Sequence, residues 1–188
     1  MNEGIETLFI LDWDDTLFPT TPFSQQKLSI GQISRISTYI QKTIHTCAQQ
    51  GEVHIVTQGN INWIYLCQLI LRYEIPVPVH YVDPKGNKTE CFSKLIQLYQ
   101  PKNVITAGDS PHDYKASSAQ RAIFPQLDIK HIGFKIKPDW EDWEEQMQKI
   151  YSIMPEMIQR CGHIDALFPN SHIFHNTPEK VTRWVITD

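Results

Sequence analysis

Short apolar runs alternate with amphipathic segments along most of the chain. The run Leu8-Phe9-Ile10-Leu11 is too short for a helix and is typical of a buried strand in a parallel sheet. Later runs have the same character and are bounded by polar or turn-forming residues. The pattern predicts five strands, over residues 7–12, 53–57, 79–82, 104–107 and 131–135.

In the segments between these strands, apolar residues recur at intervals of three and four, which indicates amphipathic helices. Ser29 begins the first of them, and Gly51 is the residue type that ends a helix. Asn60 and Asp139 are residue types that cap helix N-termini. Residues 18–28 are rich in Pro and Thr and are predicted to be a loop. The predicted helices cover residues 29–50, 60–73 and 89–99, a short segment after Asp113, and a long segment after Asp139.

This alternation predicts an α/β fold with a doubly wound, mostly parallel, Rossmann-like sheet and helices on both faces. A chain of 188 residues suits one domain with a well-buried core. We expect residues 1–161 to form the core. Residues 162–188 fit the pattern poorly and are predicted to be a C-terminal extension packed on the core, either as an added strand or as a segment that wraps around it.

Composition and charge narrow the classes of partner and compartment. A net charge of −4 and a pI near 6.0 do not indicate nucleic acid or an anionic membrane as a partner. No apolar run approaches the ~20 residues that span a bilayer, and the N-terminus lacks a basic signal-peptide region. The four cysteines are scattered without a CxxC pair, so we expect reduced thiols and a cytoplasmic protein.

Acidic residues crowd the end of the first predicted strand. Asp12, Asp14 and Asp15 fall within four positions of the segment LDWDDTLFPT. Crowded carboxylates repel one another unless a cation or phosphoryl chemistry uses them. A parallel strand ends at the carboxyl edge of its sheet, where open α/β folds bind ligands. The segment is therefore the first candidate for a functional site.

Polar residues that follow the later strands are expected at the same edge of the sheet. Thr57 ends the second strand, Asp109 follows the fourth, and Asp113 comes four positions later. Lys85 and Lys88 lie in the turn before the third helix. Oxygen ligands suit Mg²⁺, and a lysine with a hydroxyl suits phosphoryl oxygens. The residues together predict magnesium-dependent phosphoryl chemistry.

These segments resemble, in order and spacing, the four motifs of the haloacid dehalogenase superfamily, over about residues 7–135. The motifs are carried by Asp12-Trp13-Asp14-Asp15-Thr16, the strand ending at Thr57, the GNK turn with Lys88, and Gly108-Asp109-xxx-Asp113. Residues 87–92 also resemble the third motif of the Eyes absent phosphatases, which favours Lys88 over Lys85. The DWDDTLFPT segment is similar to small phosphatase-like members of the superfamily.

The resemblance implies a role for each matched residue. Asp12 would attack phosphorus and form an aspartyl-phosphate, and Asp14 would protonate the leaving oxygen and later deprotonate water. Thr57 and Lys88 would hold the phosphoryl oxygens. Asp15 replaces a common glycine and is predicted to have no part in the reaction. The implied Mg²⁺ ligands are Asp12, Asp14 through its backbone carbonyl, Asp109 and Asp113.

The intervals between the motifs leave no room for a sizeable cap domain, so an open site is expected. By analogy with the superfamily, an open site favours a phosphoprotein or another large phosphorylated substrate. The leading prediction is a Mg²⁺-dependent phosphatase. The alternatives are a catalytically weak or inactive binding or regulatory protein on the same fold, and a metal nuclease or sugar-nucleotide transferase that uses Asp12 and Asp14. The sequence does not indicate an oligomeric state.

Several other residues are interpreted as structural. Trp13 is expected to pack behind the first strand, and Trp140 and Trp143 to face the core from the last helix. His112 is predicted to face solvent. Three histidines and one cysteine near the C-terminus match no standard zinc-site spacing: Cys161, His163, His172 and His175.

Overall fold

One seven-stranded parallel sheet forms the centre of the protein in a computed structural model, which describes residues 5–171 and 181–187. The strand order is β3-β2-β1-β4-β5-β6-β7. The predicted doubly wound α/β class is confirmed. The strands are β1 (Thr7–Leu11), β2 (Glu52–Thr57), β3 (Val79–Tyr81), β4 (Asn103–Gly108), β5 (Asp128–Gly133), β6 (Ile164–Leu167) and β7 (Thr182–Val185).

Six helices connect or flank the strands within the described residues. Ser29 and Gln32 form a reciprocal capping box at the start of the second helix, and the side chains of Asn60 and Asp139 cap later helices as their residue types predict. None of these helices combines the length and the apolar character needed to cross a bilayer. Their bounds are α1 (Thr20–Gln25), α2 (Ile30–Ala48), α3 (Ile61–Leu71), α4 (Lys88–Tyr99), α5 (Pro111–Ile123) and α6 (Trp140–Gln159).

The helices cover both faces of the sheet. Helices α2, α3 and α6 share one core cluster with Phe9, Leu11 and other strand residues, and α4 and α5 share the opposite cluster with Leu8 and Ile10. Successive β1 side chains therefore enter different cores, as the alternation of a strand requires. Trp13 and Trp143 are fully buried in the first cluster, which confirms their predicted place in the core.

The strand order reverses between β1 and β4. After β1 the chain moves outward through β2 and β3, and it then returns to place β4 against the other side of β1. A crevice opens at the carboxyl ends of two strands where their connections leave in opposite directions. Residues 12 and 109 directly follow β1 and β4, so the fold brings them to this crevice. No cap domain is inserted between the strands of the described chain.

Two predicted boundaries are wrong. Residues 18–28 are not wholly a loop, because α1 forms within them, and its first turn donates the Thr21 backbone N–H to the Asp15 carboxylate at 2.7 Å. The predicted strand 131–135 instead runs from Asp128 to Gly133. Its earlier start follows from regular parallel pairing with Asn103, Val104 and Ile105 of β4.

The segment after Gly162 adds strands to the same sheet. β6 pairs with β5, and β7 pairs with β6 at the sheet edge. Both strands lie beyond β5, away from the β1–β4 crevice. The described part of the segment therefore does not lie over Asp12.

Candidate functional site at the carboxyl edge of the sheet

Lys88 joins the first and last sequence motifs. Asp12 continues from β1 and donates its backbone N–H to the Ala107 carbonyl at 2.9 Å. Lys88 begins α4 directly after its cap, Asn87, so its side chain enters the crevice from the N-terminal end of a helix. Its Nζ lies 2.6 Å from Asp12 Oδ1 and 2.6 Å from Asp113 Oδ1. All three side chains are buried.

The turn after β4 holds Asp113 rigidly. Ser110 caps α5, and its backbone and hydroxyl both donate to Asp113 Oδ2 while the Asp113 N–H donates back to the serine oxygen. Gly108 makes room for this arrangement, because a Cβ at that position would lie 2.4 Å from the Asp113 carboxyl carbon. A glycine at position 108 is therefore needed for Asp109 and Asp113 to lie together at the end of β4.

Three buried carboxylates converge in the crevice. Oxygen atoms of Asp12, Asp109 and Asp113 all lie within 4.8 Å of one another. Burial, with the charges of Asp12 and Asp113, raises the pKa of Asp109 to about 9. Burial and Asp113 likewise raise the pKa of Asp12 to about 7, although Lys88 acts in the opposite direction.

Without a further cation the three carboxyl groups do not all ionise at neutral pH, as the raised pKa of Asp109 shows. Lys88 bonds to Asp12 and Asp113, whereas the Asp109 side chain receives no ion pair or hydrogen bond from the side chain of another described residue. Such a set of close oxygen ligands, one of which has no side-chain partner, fits a metal ion, whose binding would release the Asp109 proton. The triad can therefore hold a metal, as predicted for Asp12, Asp109 and Asp113.

The side chain of Asp14 lies outside this triad and has its own partners. Its Oδ1 accepts hydrogen bonds from Thr20 Oγ1 at 2.6 Å and from Trp63 Nε1 at 2.7 Å. Its Oδ2 lies 3.4 Å from Thr57 Oγ1. The carboxylate is half-buried and is held by three different elements. Asp12 and Asp14 thus have separate surroundings, as their separate predicted roles require.

Thr57 and the turn after it lie beside Asp14 Oδ2. The Gly59 N–H donates to Thr57 Oγ1 at 2.9 Å. A Cβ at position 59 would lie 3.0 Å from Asp14 Oδ2 and 3.1 Å from Thr57 Oγ1. Glycine therefore keeps the space between the hydroxyl and the carboxylate open.

Asp15 anchors the loop rather than joining the triad. Its carboxylate accepts hydrogen bonds from the backbone N–H and the hydroxyl of Thr21, and its φ of 52° is left-handed. The left-handed backbone explains why a glycine would also fit here. Burial raises the pKa of Asp15 despite its bonds to Thr21.

The other residues considered in the sequence differ in how exposed their side chains are. Lys88 is buried among the carboxylates, whereas Lys85 is exposed in the preceding turn. His112 is exposed, as predicted. Of the C-terminal residues weighed as zinc ligands, Cys161 is an exposed free thiol, and His163 lies beside Ile129, whose N–H it accepts. His172 and His175 lie outside the described residues.

Two contributors to the site were not identified from sequence. Trp63 and Thr20 both bind Asp14, although one follows β2 and the other begins α1. The Asn60 cap was a usable signal, because it fixes the start of α3 and places Trp63 in the first turn, beside the strand ends. Thr20 carried no comparable signal, since its segment was interpreted as a loop.

No family model, curated protein or solved structure matches this chain. Chemical interpretation therefore depends on the geometry described above. The arrangement provides two buried carboxylates bonded to one ammonium group, a triad that can hold a metal, and a separate carboxylate beside a hydroxyl. These groups can bind a cation and an anion side by side.

Proposed function

We propose that the protein is a magnesium-dependent phosphatase of the haloacid dehalogenase type, which forms an aspartyl-phosphate on Asp12. The observation that supports it is the buried cluster at the β1–β4 crevice. In this cluster Lys88 bridges Asp12 and Asp113, and Asp109, which has no side-chain partner, has a pKa raised to about 9. Phosphoryl transfer needs this combination of anionic ligands and a fixed cation, because the nucleophile and the substrate are both anionic.

Asp12, Asp109 and Asp113 would hold the Mg²⁺ ion, with the Asp14 backbone carbonyl as the further ligand implied by the resemblance. When bound, the ion would reduce repulsion between the anionic substrate and the carboxylate nucleophile. Magnesium suits this set because it binds a few carboxylates together with substrate phosphate and water.

Asp12 is the proposed nucleophile. One of its carboxylate oxygens attacks phosphorus, the bond from phosphorus to the leaving oxygen breaks, and an aspartyl-phosphate forms. Lys88 has three N–H donors, of which two already bind Asp12 and Asp113, so the third remains for a phosphoryl oxygen. The Thr57 hydroxyl would bind another phosphoryl oxygen on the opposite side.

Asp14 is the proposed proton-transfer group. It gives its proton to the leaving oxygen in the first step. In the second step it takes a proton from the water that attacks phosphorus, which releases inorganic phosphate and restores Asp12. Thr20 and Trp63 fix the Asp14 carboxylate through Oδ1, so Oδ2, on the side of Thr57, is the oxygen left to exchange a proton.

The substrate is proposed to be a phosphoprotein or another large phosphorylated molecule. No cap domain covers the crevice in the described chain, so a bulky substrate can reach the carboxyl edge of the sheet. Helix α1 and the start of α3 form the side of the crevice nearest Asp14. Neither helix contains a charged residue, so the part of the substrate beside the phosphate need not be charged.

A catalytically weak binding protein is the second candidate. The observation that favours it is that the Asp12 residue is only 6% exposed and that its Oδ1 is already bonded to Lys88. Substrate would have to displace or share this contact. Turnover measurements separate the two candidates.

Hydrolysis of an aryl phosphate, measured with Mg²⁺ and with excess chelator, tests the proposal. We expect activity only with the metal, and its loss in Asp12→Asn. Asp128→Asn makes the same chemical change at the start of β5, far from the crevice, and should retain activity. Metal-independent turnover, or full activity in Asp12→Asn, would contradict the proposal. Tight Mg²⁺-dependent binding of phosphate without turnover would favour the second candidate.

A further inference from the structure

Helix α3 has an apolar surface on the side that faces away from the sheet. The helix contains no Asp, Glu, Lys or Arg. Its inner side packs in the core through Ile64, Cys67 and Leu71. A helix that is apolar on all sides is ordinarily covered on all sides. Its outer side instead leaves four large side chains between 46% and 63% exposed, here named the α3 stripe: Ile61, Tyr65, Leu66 and Leu69.

The α3 stripe differs from the other exposed apolar residues of the described chain. Ile30, Leu98 and Ile123 are exposed singly on three different helices. Tyr81 at the end of β3 and Ile136 in the loop after β5 are also single, which is common on protein surfaces. Four exposed apolar side chains on three turns of one uncharged helix form a contiguous patch. Patches of this kind mark interaction surfaces.

Charged residues at the end of the stripe indicate what covers it. A shallow depression of about 550 Å³ continues the stripe past the C-terminus of α3 and is lined by Tyr65, Leu69, Arg72 and Glu74, among others. Arg72 and Glu74 are both exposed and carry opposite charges. Neither side chain forms an ion pair or a hydrogen bond with the residues that the structure describes.

We propose that a second copy of this chain covers the α3 stripe. In a two-fold symmetric dimer each residue meets the partner's counterpart reciprocally. A two-fold axis that runs alongside α3 would pack the two stripes together in register and place Arg72 of each copy beside Glu74 of the other. One basic and one acidic residue beside a two-fold axis are self-complementary, so both charges gain partners in a single contact.

The same charges disfavour a lipid surface. Arg72 is the only basic residue among those that line the depression, and Glu74 would be repelled by anionic headgroups. The inner side of α3 holds Trp63 against Asp14, so the dimer contact lies on the outer side of a helix that contributes to the crevice. The interface itself does not depend on the proposed reaction.

Sedimentation equilibrium of the full chain over a range of concentrations tests the interface. We expect the wild type to be a reversible dimer. Tyr65→Glu and Leu69→Glu should each raise the dimer dissociation constant at least about 30-fold, because they place charge at the centre of an apolar contact. Leu98→Glu introduces the same charge at a lone exposed apolar residue on α4 and should leave the constant unchanged.

Charge reversal tests the self-complementary geometry. Arg72→Glu and Glu74→Arg should each weaken the dimer about tenfold, because each creates like charges at both symmetric contacts. Mixing the two single variants should give a heterodimer of wild-type strength, and the double variant should also recover.

Three results would overturn the proposal. They are a monomeric wild type, a dimer insensitive to Leu69→Glu, and a dimer that charge reversal weakens but complementary mixing does not restore. A monomer that binds neutral phospholipid vesicles through Leu69 would reassign the stripe to a membrane surface.

Discussion

Two lysines are buried among the residues that the structure describes, and their surroundings are opposite. Lys88 Nζ lies between the carboxylates of Asp12 and Asp113 at the carboxyl edge of the sheet. Lys130, in β5, donates to the Met157 carbonyl at 2.6 Å and to Asn103 Oδ1 at 3.1 Å, both of which are neutral. Burial lowers the pKa of Lys130, whereas at Lys88 the two carboxylates outweigh burial and raise the pKa.

The two sets of partners show that packing of the fold accounts for the buried ammonium group of Lys130 but not for that of Lys88. Neutral acceptors satisfy the Lys130 ammonium group, so its long side chain can fill the core without any ligand. Lys88 lies between two carboxylates, and the oxygen atoms of a third, Asp109, are within 4.8 Å of theirs. Ionising all three carboxyl groups is costly unless a further cation binds, which is why the pKa of Asp109 is raised. The surroundings of Lys130 are explained by packing alone, whereas those of Lys88 agree with the ligand-binding role proposed for it.

The largest expected difference between the two lysines is in turnover. Lys88→Met should lower kcat/KM for an aryl phosphate by about 10²–10³-fold, because a fixed donor to the phosphoryl oxygens is lost. Lys130→Met should leave kcat/KM nearly unchanged in protein that remains folded. Lys85→Met, in the exposed turn, is the matched surface control. Equal losses in Lys88→Met and Lys130→Met would remove the distinction.

The second largest expected effect is a change in melting temperature when Mg²⁺ binds. Mg²⁺ should raise the melting temperature of the wild type and of Lys130→Met, with stabilisation of about 2.7 kcal/mol at a hundredfold excess over the dissociation constant. Asp109→Asn should abolish this response. Without metal, Asp109→Asn should melt at a higher temperature than the wild type, because it removes a buried carboxylate that lacks a partner. A lower melting temperature of metal-free Asp109→Asn would contradict the conclusion that burial of the Asp109 carboxyl destabilises the metal-free protein.

Two tryptophan indoles allow a similar comparison between the crevice and the rest of the molecule, with a smaller expected effect. Trp63→Phe removes the 2.7 Å hydrogen bond to Asp14 and should lower kcat about tenfold with little change in KM, since the loss of one hydrogen bond to a charged group is modest. Trp140→Phe removes a comparable bond to Glu144 away from the crevice and should leave kcat unchanged. Steady-state kinetics on both variants decide whether the Asp14 contact matters to the reaction.

The smallest expected effect is the pH dependence of stability contributed by Lys130. Its folded-state pKa lies below its unfolded value near 10.5, so the unfolded chain holds the proton more firmly in the interval between the two. The free energy of unfolding should therefore gain a rising contribution as pH increases through that interval. Urea titrations at pH values below 10.5 should show the wild type gaining free energy of unfolding relative to Lys130→Met as pH rises, a difference from which the opposing contribution of Asp109 cancels.

Sequence reasoning succeeded where chain topology alone places a residue. Parallel strands bring their carboxyl ends to one edge, so the positions of Asp12 and Asp109 after β1 and β4 were sufficient to predict that they meet. Lys88 could be placed with them because it begins the helix that follows β3. The converging carboxylates at the crevice were thus predictable from strand ends and order.

Contacts from distant elements decided what the sequence did not predict. The early start of β5 depends on burying Lys130, whose amine is satisfied by Met157 of α6 and Asn103 of β4. A lysine within a short run otherwise indicates exposure. Helix α1 depends on Asp15, whose left-handed backbone directs its carboxylate to Thr21. Neither feature has a periodic pattern in the sequence.

The proposed mechanism requires that Asp12 becomes phosphorylated during turnover. Mass spectrometry of peptides from an acid-quenched reaction with excess aryl phosphate tests it most directly. We expect a phosphoryl group on the peptide that contains Asp12, present with Mg²⁺ and absent with chelator or in Asp12→Asn. Turnover with the phosphoryl group on any other residue, or with Asp12 never modified, would contradict it.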